Sequence, residues 1–462
     1  MGTAAESPER VIRIYAGKLF DPQTLELQPH RVVTVSPSSG LVLDVKPYSA
    51  EELEDIAFTD ENHVDLRHAT VLPGFVDAHV HMFLHSYAET SWDDQLTKES
   101  LVERTVRAVV HAKRTLMAGY TTVRDLGTEG AGDADIQLRK CLSGPNPLIP
   151  GPRYFCANRA IIASGSYGPR SNLHLHQDGI DGVTGAEFVD GEVECIRAVR
   201  KQVGAGADWI KVHYRVRARA ADVSTKVVGA AIQTFSSKEL RTLVTAARQL
   251  GVKVAAHAQT WRVELLPENG GVDTLEHGNN FGESDEVIDA VKKSSIIWVP
   301  TLSVFYTSDL EKVPGGRWDS TARNFQRALA RGVTNIACGG DTGPFPHGDN
   351  ALEMKLMVRL GADWRLVLRW ATLAGWHCVR STAWEGAEGA ARLAKVGELL
   401  EAPSLVGDNE VPFGVIRRGF AADIVATSGD LETDFESAVD KKSITFVMKA
   451  GKIFKRDGRE LV

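Results

Sequence analysis

The sequence predicts an α/β protein, a (β/α)8 TIM barrel inserted into a small β-sandwich that the N- and C-terminal segments build together. Three observations predict it. From residue 71 to about residue 360, short apolar runs alternate with amphipathic helical stretches in eight successive units. Residues 1–65 read as short strands and turns, too few to bury a core of their own. After about residue 395 strand signals return, which gives the N-terminal strands partners. The expected division is therefore 1–65 with 396–462 for the β-sandwich and 66–395 for the barrel.

Size and composition bound the function. At 462 residues the chain exceeds one typical domain and suits a large barrel with an accessory module. Hydrophobic residues make up 43% and charged residues 24%, ordinary for a globular protein. A net charge of −7 without a basic block argues against nucleic acid as a partner. Apolar runs fall far short of a membrane span, and Met1–Arg10 has no apolar core of a signal peptide. The five cysteines (Cys141, Cys156, Cys195, Cys338, Cys378) are scattered without a C-x-x-C pair. That suggests neither a disulfide framework nor a thiolate metal site, and a reducing cytoplasm is the expected compartment.

Taken in order, Val11–Tyr15, Arg31–Val35 and Leu41–Val45 read as strands punctuated by Pro22, Pro37 and Gly40. Val71–Val80 opens the barrel as an apolar run. A helix over Lys98–Ala118, ended by Gly119, leads to strand Tyr120–Arg124, helix Asp133–Cys141 and strand Arg153–Ala157. Residues 158–190 show no periodicity. Helix Val193–Val203, strand Trp209–Tyr214 and helix Ser237–Leu250 follow, the last capped by Ser236 or Ser237 with Glu239 in its first turn. Strands Val252–His257, Val272–His277, Ile296–Pro300 and Thr334–Gly340 complete the series, with helices Asp285–Lys293, Thr321–Arg331 and Asn350–Leu360 between and after them. Phe413–Arg417, Asp423–Ala426, Ser443–Lys449 and Lys452–Lys455 supply the closing strands. The segment 376–411 includes a helical stretch, Glu385–Leu400, expected at an oligomer contact.

Chemistry collects at strand ends. In the run Val71-Leu72-Pro73-Gly74-Phe75-Val76-Asp77-Ala78-His79-Val80-His81, residues i and i+2 face one way, so His79 and His81 project two imidazoles side by side. Two neutral imidazoles suit a divalent metal, usually zinc, although a strand-end histidine by itself is more often a satisfied core residue. Lys211 lies on the fourth strand, His257 ends the fifth, Glu276-His277 the sixth and Gly339-Gly340-Asp341 the eighth. In a parallel barrel these ends share one rim, so four histidines, a lysine and an aspartate converge there.

With these residues in place, and with Gly119-Tyr120-Thr121-Thr122-Val123-Arg124-Asp125 and the tail Ala421-Ala422-Asp423-Ile424-Val425, the chain resembles the amidohydrolase superfamily of metal-dependent hydrolases. It looks closest to the branch of ochratoxinase and Xaa-Pro dipeptidase-like, imidazolonepropionase-related enzymes. The resemblance implies two divalent metal ions, zinc first. His79, His81 and Asp341 would hold the more buried ion, His257 and His277 the second, and Lys211, carboxylated by carbon dioxide, would bridge them. It implies Asp341 and His277 as catalytic residues, with Asp341 as proton shuttle for a hydroxide that bridges the metals. The implied reaction is hydrolysis of a C–N amide bond in an N-acyl amino acid, dipeptide or toxin-like amide, or of a lactam or lactone. It also implies a small-molecule substrate and a homo-oligomer.

Two rivals remain on the same scaffold. A mononuclear deaminase of this superfamily would carry a glutamate three residues after His257, where the chain has Ala258-Gln259-Thr260. A metal-free scaffold would have lost ligands, whereas all six are present. Substrate contacts are expected from His213, which shares the parity of Lys211, from Tyr214 and Arg215 at the rim, from Tyr167 and Arg170 in the loop after the third strand, and from His347. A rim arginine would clamp a carboxylate in two-point fashion or simply face solvent. The Gly-Gly-His-Gly run usual in that loop of the branch is absent. His174 and His176 are expected in a lid or solvated loop, His111 on a solvated helix face, and Arg124-Asp125 as an ion pair. His347 either meets substrate or orders its loop.

Overall fold

The computed structural model describes residues 10–54, 56, 58, 60–144, 146–167, 177, 183, 185–217, 231–282, 284–309, 316–400 and 408–462. Both ends of the chain enter one eight-stranded sheet. Its order is Arg459–Glu460, Lys452–Arg456, Ile444–Lys449, Ile424–Thr427, His63–Pro73, Ile12–Asp21, Glu26–Ser36, Leu41–Pro47. The sheet is continuous where two facing sheets were expected. Leu41 also bridges Ala421, so the sheet bends over its own core, in which Ile14, Val33, Leu66 and Val71 meet Ile424, Ala426, Phe446 and Met448. Val71 and Leu72, expected in the barrel, pair here with Ala426 and Val425. The expected strand Phe413–Arg417 is irregular backbone instead.

Parallel strands follow, numbered here in chain order: β1 Phe75–Val80, β2 Tyr120–Asp125, β3 Arg153–Cys156, β4 Trp209–Arg217, β5 Lys253–Thr260, β6 Thr274–Asn280 and β7 Ile297–Val299. β1 pairs β2 and β2 pairs β3; β4 through β7 pair in series. Asp208 N donates to Cys156 O at 2.8 Å, joining the start of β4 to β3. The aperiodic stretch after β3 contributes two short strands, Ala160–Ile162 and Ala186–Phe188, the first bridging β4 at Val212. No ladder forms at Thr334–Gly340. Only single bridges occur there, Ile336 with Trp298 and Thr342 with Val80. The segment is nonetheless packed tightly: a Cβ on Gly339 would sit 2.5 Å from Val299 Cγ1 and 2.8 Å from His79 N. The segment is wedged against its neighbours by backbone contact that glycine alone permits.

Helices begin where the sequence offers caps. Ser236 Oγ accepts from Glu239 N while Glu239 Oε2 accepts from Ser236 N, a reciprocal box that starts helix Ser237–Gln249. Ser100 starts Leu101–Met117 in the same manner by accepting from Glu103 N. The expected helix Glu385–Leu400 is a helix over Gly386–Ala394 followed by a 3-10 turn. Much of the segment before and after it is interior: Trp376, Trp384 and Phe413 share a cluster with Val76, Ala78, Val299 and Ala337.

A buried ion pair clips the terminal sheet to the parallel strands. Arg153 on β3 donates Nε to Asp423 Oδ2 at 2.6 Å, and Asp423 Oδ1 also accepts from Ala450 N at 2.7 Å. Removing the carboxylate takes the acidic partner of this pair from a guanidinium that is 2% exposed. Asp423→Ala is therefore expected to destabilise the fold by about 3–5 kcal/mol, read as a lower midpoint in chemical denaturation; an unchanged midpoint refutes the clip.

Candidate metal centre

β1 ends in His79 and His81, and Asp77 sets where they point. Its carboxylate accepts from His79 N, Gly340 N, Thr342 Oγ1 and Asn350 Nδ2, at 2.7 to 3.2 Å. Burial pushes Asp77 up to about 6, against those hydrogen bonds. One side chain thus fastens the end of β1 to the segment that carries Asp341. The ligand-capable atoms of His79, His81 and Asp341 lie within 4.8 Å of one another. His81 Nε2 is 3.2 Å and His79 Nε2 3.6 Å from Asp341 Oδ1.

The other ring nitrogens are taken. His81 Nδ1 donates to Gly127 O at 2.8 Å, and His79 Nδ1 donates to Glu276 Oε2 at 2.8 Å. Each Nε2 is thereby aimed at the shared space. Glu276 is itself held by Arg124, whose Nη2 donates to Oε1 at 2.8 Å, and by Thr274 Oγ1 at 2.6 Å. A carboxylate behind a ligating imidazole fixes its tautomer and raises its basicity. Without an ion, the Asp341 carboxylate draws His81 upward in pKa despite burial, and the histidines hold Asp341 down. Burial drives His79 well below its usual value.

The remaining expected ligands line the adjoining wall. The His277 ring lies 5.2 Å from His79 and 4.3 Å from His257 between centroids. His277 Nδ1 contacts Thr301 Oγ1 at 2.8 Å. Its own carbonyl accepts from Trp298 Nε1, and that of Gly278 from Trp261 Nε1. Lys211 is 1% exposed. Burial pushes its amine down to about 8, while the Glu276 and Asp341 carboxylates pull it back up. A set of imidazoles, one carboxylate and one amine, buried apart from partial exposure at His257 and Asp341, fits divalent cations of the zinc type.

The rim expectations divide. His213 stacks on His257 at 4.7 Å and meets Tyr167 at 4.4 Å, so both stand at the mouth. Tyr214 does not. It lies in the main apolar core with its hydroxyl donating to Glu264, because strand alternation turns it to the opposite face. His347 orders its loop: Nε2 contacts the carbonyls of His81 and Leu84, and its ring stacks at 4.3 Å on His111. His111, expected in solvent, is buried and bonded to Met82 O. Arg124 pairs with Glu276, whereas Asp125 accepts from Met82 N, Gly127 N and the Tyr154 hydroxyl. Arg170, His174 and His176 lie outside the described residues, and Arg215 is described in its backbone alone. Two buried acids beside these histidines, Glu276 and Glu129, carry no sequence signal of their place. Glu276 precedes a ligand, and strict alternation would turn it away, but His277 adopts φ 72° and breaks the pleat. Glu129 sits in the loop after β2 with no motif to mark it.

Residues 70–382 match the model of the amidohydrolase family. Ochratoxinase of Aspergillus niger is 27% identical over 98% of this chain and 89% of its own length. A crystal structure of a Xaa-Pro dipeptidase with methionine in its active site superposes with TM-score 0.74 at 24% identity, covering 96% of this chain and all of that one. The A. niger ochratoxinase structure superposes with TM-score 0.69 at 24% identity over 97% of each chain. At these identities the superpositions establish a shared fold.

Glu276→Gln removes the charge behind His79 while keeping its shape. Metal affinity is expected to fall ~10–100-fold, measured by competition with a chromophoric chelator. Retained affinity contradicts the orienting role.

Proposed function

The chain belongs to the amidohydrolase family and is a hydrolase acting on C–N bonds; on that premise we propose that it holds two divalent metal ions, zinc first, and cleaves an amide bond in a small molecule. The observation that carries this reading is the convergence of His79, His81 and Asp341 from two distant stretches of sequence, with their ligand atoms within 4.8 Å. These three would hold one ion, His257 and His277 the other, and Lys211 both. A carbamate on Lys211 is supported by its low pKa, about 8, which leaves a share of the buried amine uncharged and nucleophilic towards carbon dioxide.

When bound, the ions supply Lewis-acid polarisation of the carbonyl and acidify water to near neutrality. The chain's own residues do the rest. Asp341 accepts the proton of the attacking water and delivers it to the leaving nitrogen. Phe305, 5.9 Å from the His277 ring, and Tyr167, beside His213, narrow the approach and keep bulk water out. A closed barrel is supported by backbone hydrogen bonds on both sides of the wedged segment: Ala337 N to Trp298 O, Ala78 N to Cys338 O and Thr342 N to His79 O.

We take 1–65 with 396–462 as the β domain and 66–395 as the hydrolase domain, although the strand His63–Pro73 carries the terminal sheet past residue 65. Five free cysteines support a cytoplasmic location. Val102, Val106 and Val110 form an exposed apolar stripe, 73%, 59% and 42% accessible, along one face of helix Leu101–Met117. That stripe supports a homo-oligomer. The substrate class is N-acyl amino acids, dipeptides or toxin-like amides, with lactams and lactones second.

Asp341→Asn is expected to retain metal by elemental analysis and to lose activity ~10²–10⁴-fold against panels of N-acyl amino acids, X-Pro dipeptides, lactams and lactones. Unimpaired turnover would exclude Asp341 as the shuttle. Lys211→Ala should lose bound metal and regain part of it with added short carboxylates; full occupancy without them rules out the bridge.

A further inference from the structure

Beside the ligand histidines stands a carboxylate that the reaction does not use. Glu129 is 3% exposed and adopts a left-handed φ of 50°. Its loop is fixed from behind: the buried Arg104 guanidinium donates to the carbonyls of Phe83, Thr128 and Glu129 at 2.8 to 3.1 Å. Every one of those bonds goes to backbone oxygen; no described cation touches the Glu129 carboxylate, although the charges of Arg104, His81 and Lys211 act on it from a distance.

The side chain is oriented by neutral donors. Oε2 accepts from Trp92 Nε1 at 2.9 Å and from the Tyr167 hydroxyl at 3.1 Å. The two rings lie 5.3 Å apart at 53° and wall the acid on two sides. Oε1 accepts no hydrogen bond from the described residues. It lies 3.5 Å from the position a Cβ on Gly127 would take, and His81 Cε1 lies 3.7 Å from that same point. The acid and the His81 ring therefore both border Gly127. Tyr167 continues the wall to His213 and His257.

A buried carboxylate that no cation touches has a place for one, and aromatic rings beside it suit an ammonium group. We propose that Glu129, walled by Trp92 and Tyr167, is a specificity residue that receives a protonated amine of the substrate, so that the preferred amides carry a cationic group close to the scissile carbonyl. The proposal rests on the amide-hydrolase reading of the same mouth and narrows its substrates to amine-bearing acyl groups over N-blocked ones.

The metal-loaded protein is titrated calorimetrically with isoamylammonium and with isoamyl alcohol, which share shape and differ in charge. The cation is expected to bind at least ~10-fold more tightly, and Glu129→Gln to reduce that preference to within about twofold. Tyr167→Phe, which keeps the ring and loses one hydrogen bond, should reduce it in part and serves if the first variant fails to fold. In parallel, leucine p-nitroanilide should be preferred over its N-acetyl form in kcat/KM, with the preference lost in the same variants. Equal binding of the two probes overturns the proposal. So does a preference that survives Glu129→Gln, as amine coordination to metal would give. A fall in metal content in that variant also overturns it, since the acid would then serve the ions. If the cation preference depends on Glu129 but neither anilide is cleaved, the subsite stands and the amide reading falls.

Discussion

Glu276 has no solvent on its side chain, and its charge is shared between the Arg124 guanidinium and the His79 imidazole. Both partners are as deeply buried as the acid. Arg124 is satisfied on every side: Nε donates to Ala78 O, Nη1 to Thr274 Oγ1, and its plane lies over the Trp209 ring at 4.4 Å. Buried pairs of this kind contribute little net stability, but losing one partner costs about 3–5 kcal/mol. The arrangement therefore works as a geometric constraint more than as a source of stability. It spans β1, β2 and β6, and it permits one orientation of His79.

The strand ends around it are strained in a consistent way. His277, Thr301 and Asp341 are non-glycine residues with φ of 72°, 51° and 59°. Each costs on the order of 1–2 kcal/mol, and the surrounding hydrogen bonds outweigh that cost. Trp298 and Trp261 clamp the carbonyls of His277 and Gly278 towards the end of β6, and Asp77 clamps the turn before Asp341. Strain held in place at strand ends is where chemistry is found in folded proteins. Here it accompanies the turn of Asp341 towards His79 and His81 and of the His277 ring to 5.2 Å from His79.

Much of this was legible in sequence because it obeys simple periods. Alternating strands and helices marked the fold class, and the spacing of His79 and His81 marked two side chains on one face. The misses share a cause. Tyr214 was placed at the rim by proximity to Lys211 when parity alone put it in the core. His111 reads as a solvated side chain and Arg124 as the partner of adjacent Asp125, yet His111 bonds Met82 O in the interior and Arg124 pairs with Glu276, groups far away in sequence that no local pattern encodes. Strand eight was expected from its apolar run, but the segment through Gly339 and Gly340 makes only single bridges. Glu129 is held by Arg104, Trp92 and Tyr167, three elements whose meeting only the folded chain reveals.

The interleaving of the terminal sheet has a consequence for synthesis. His63–Pro73 lies between Ile12–Asp21 and Ile424–Thr427, so one of its edges has no partner until some 350 further residues have been translated. An open strand edge of this sort templates aggregation. While the nascent chain is on the ribosome, the parallel strands must form beside an unfinished sheet, and any product that stops short of residue 424 keeps that edge bare. The stretch Ile424–Thr427 is what closes that edge.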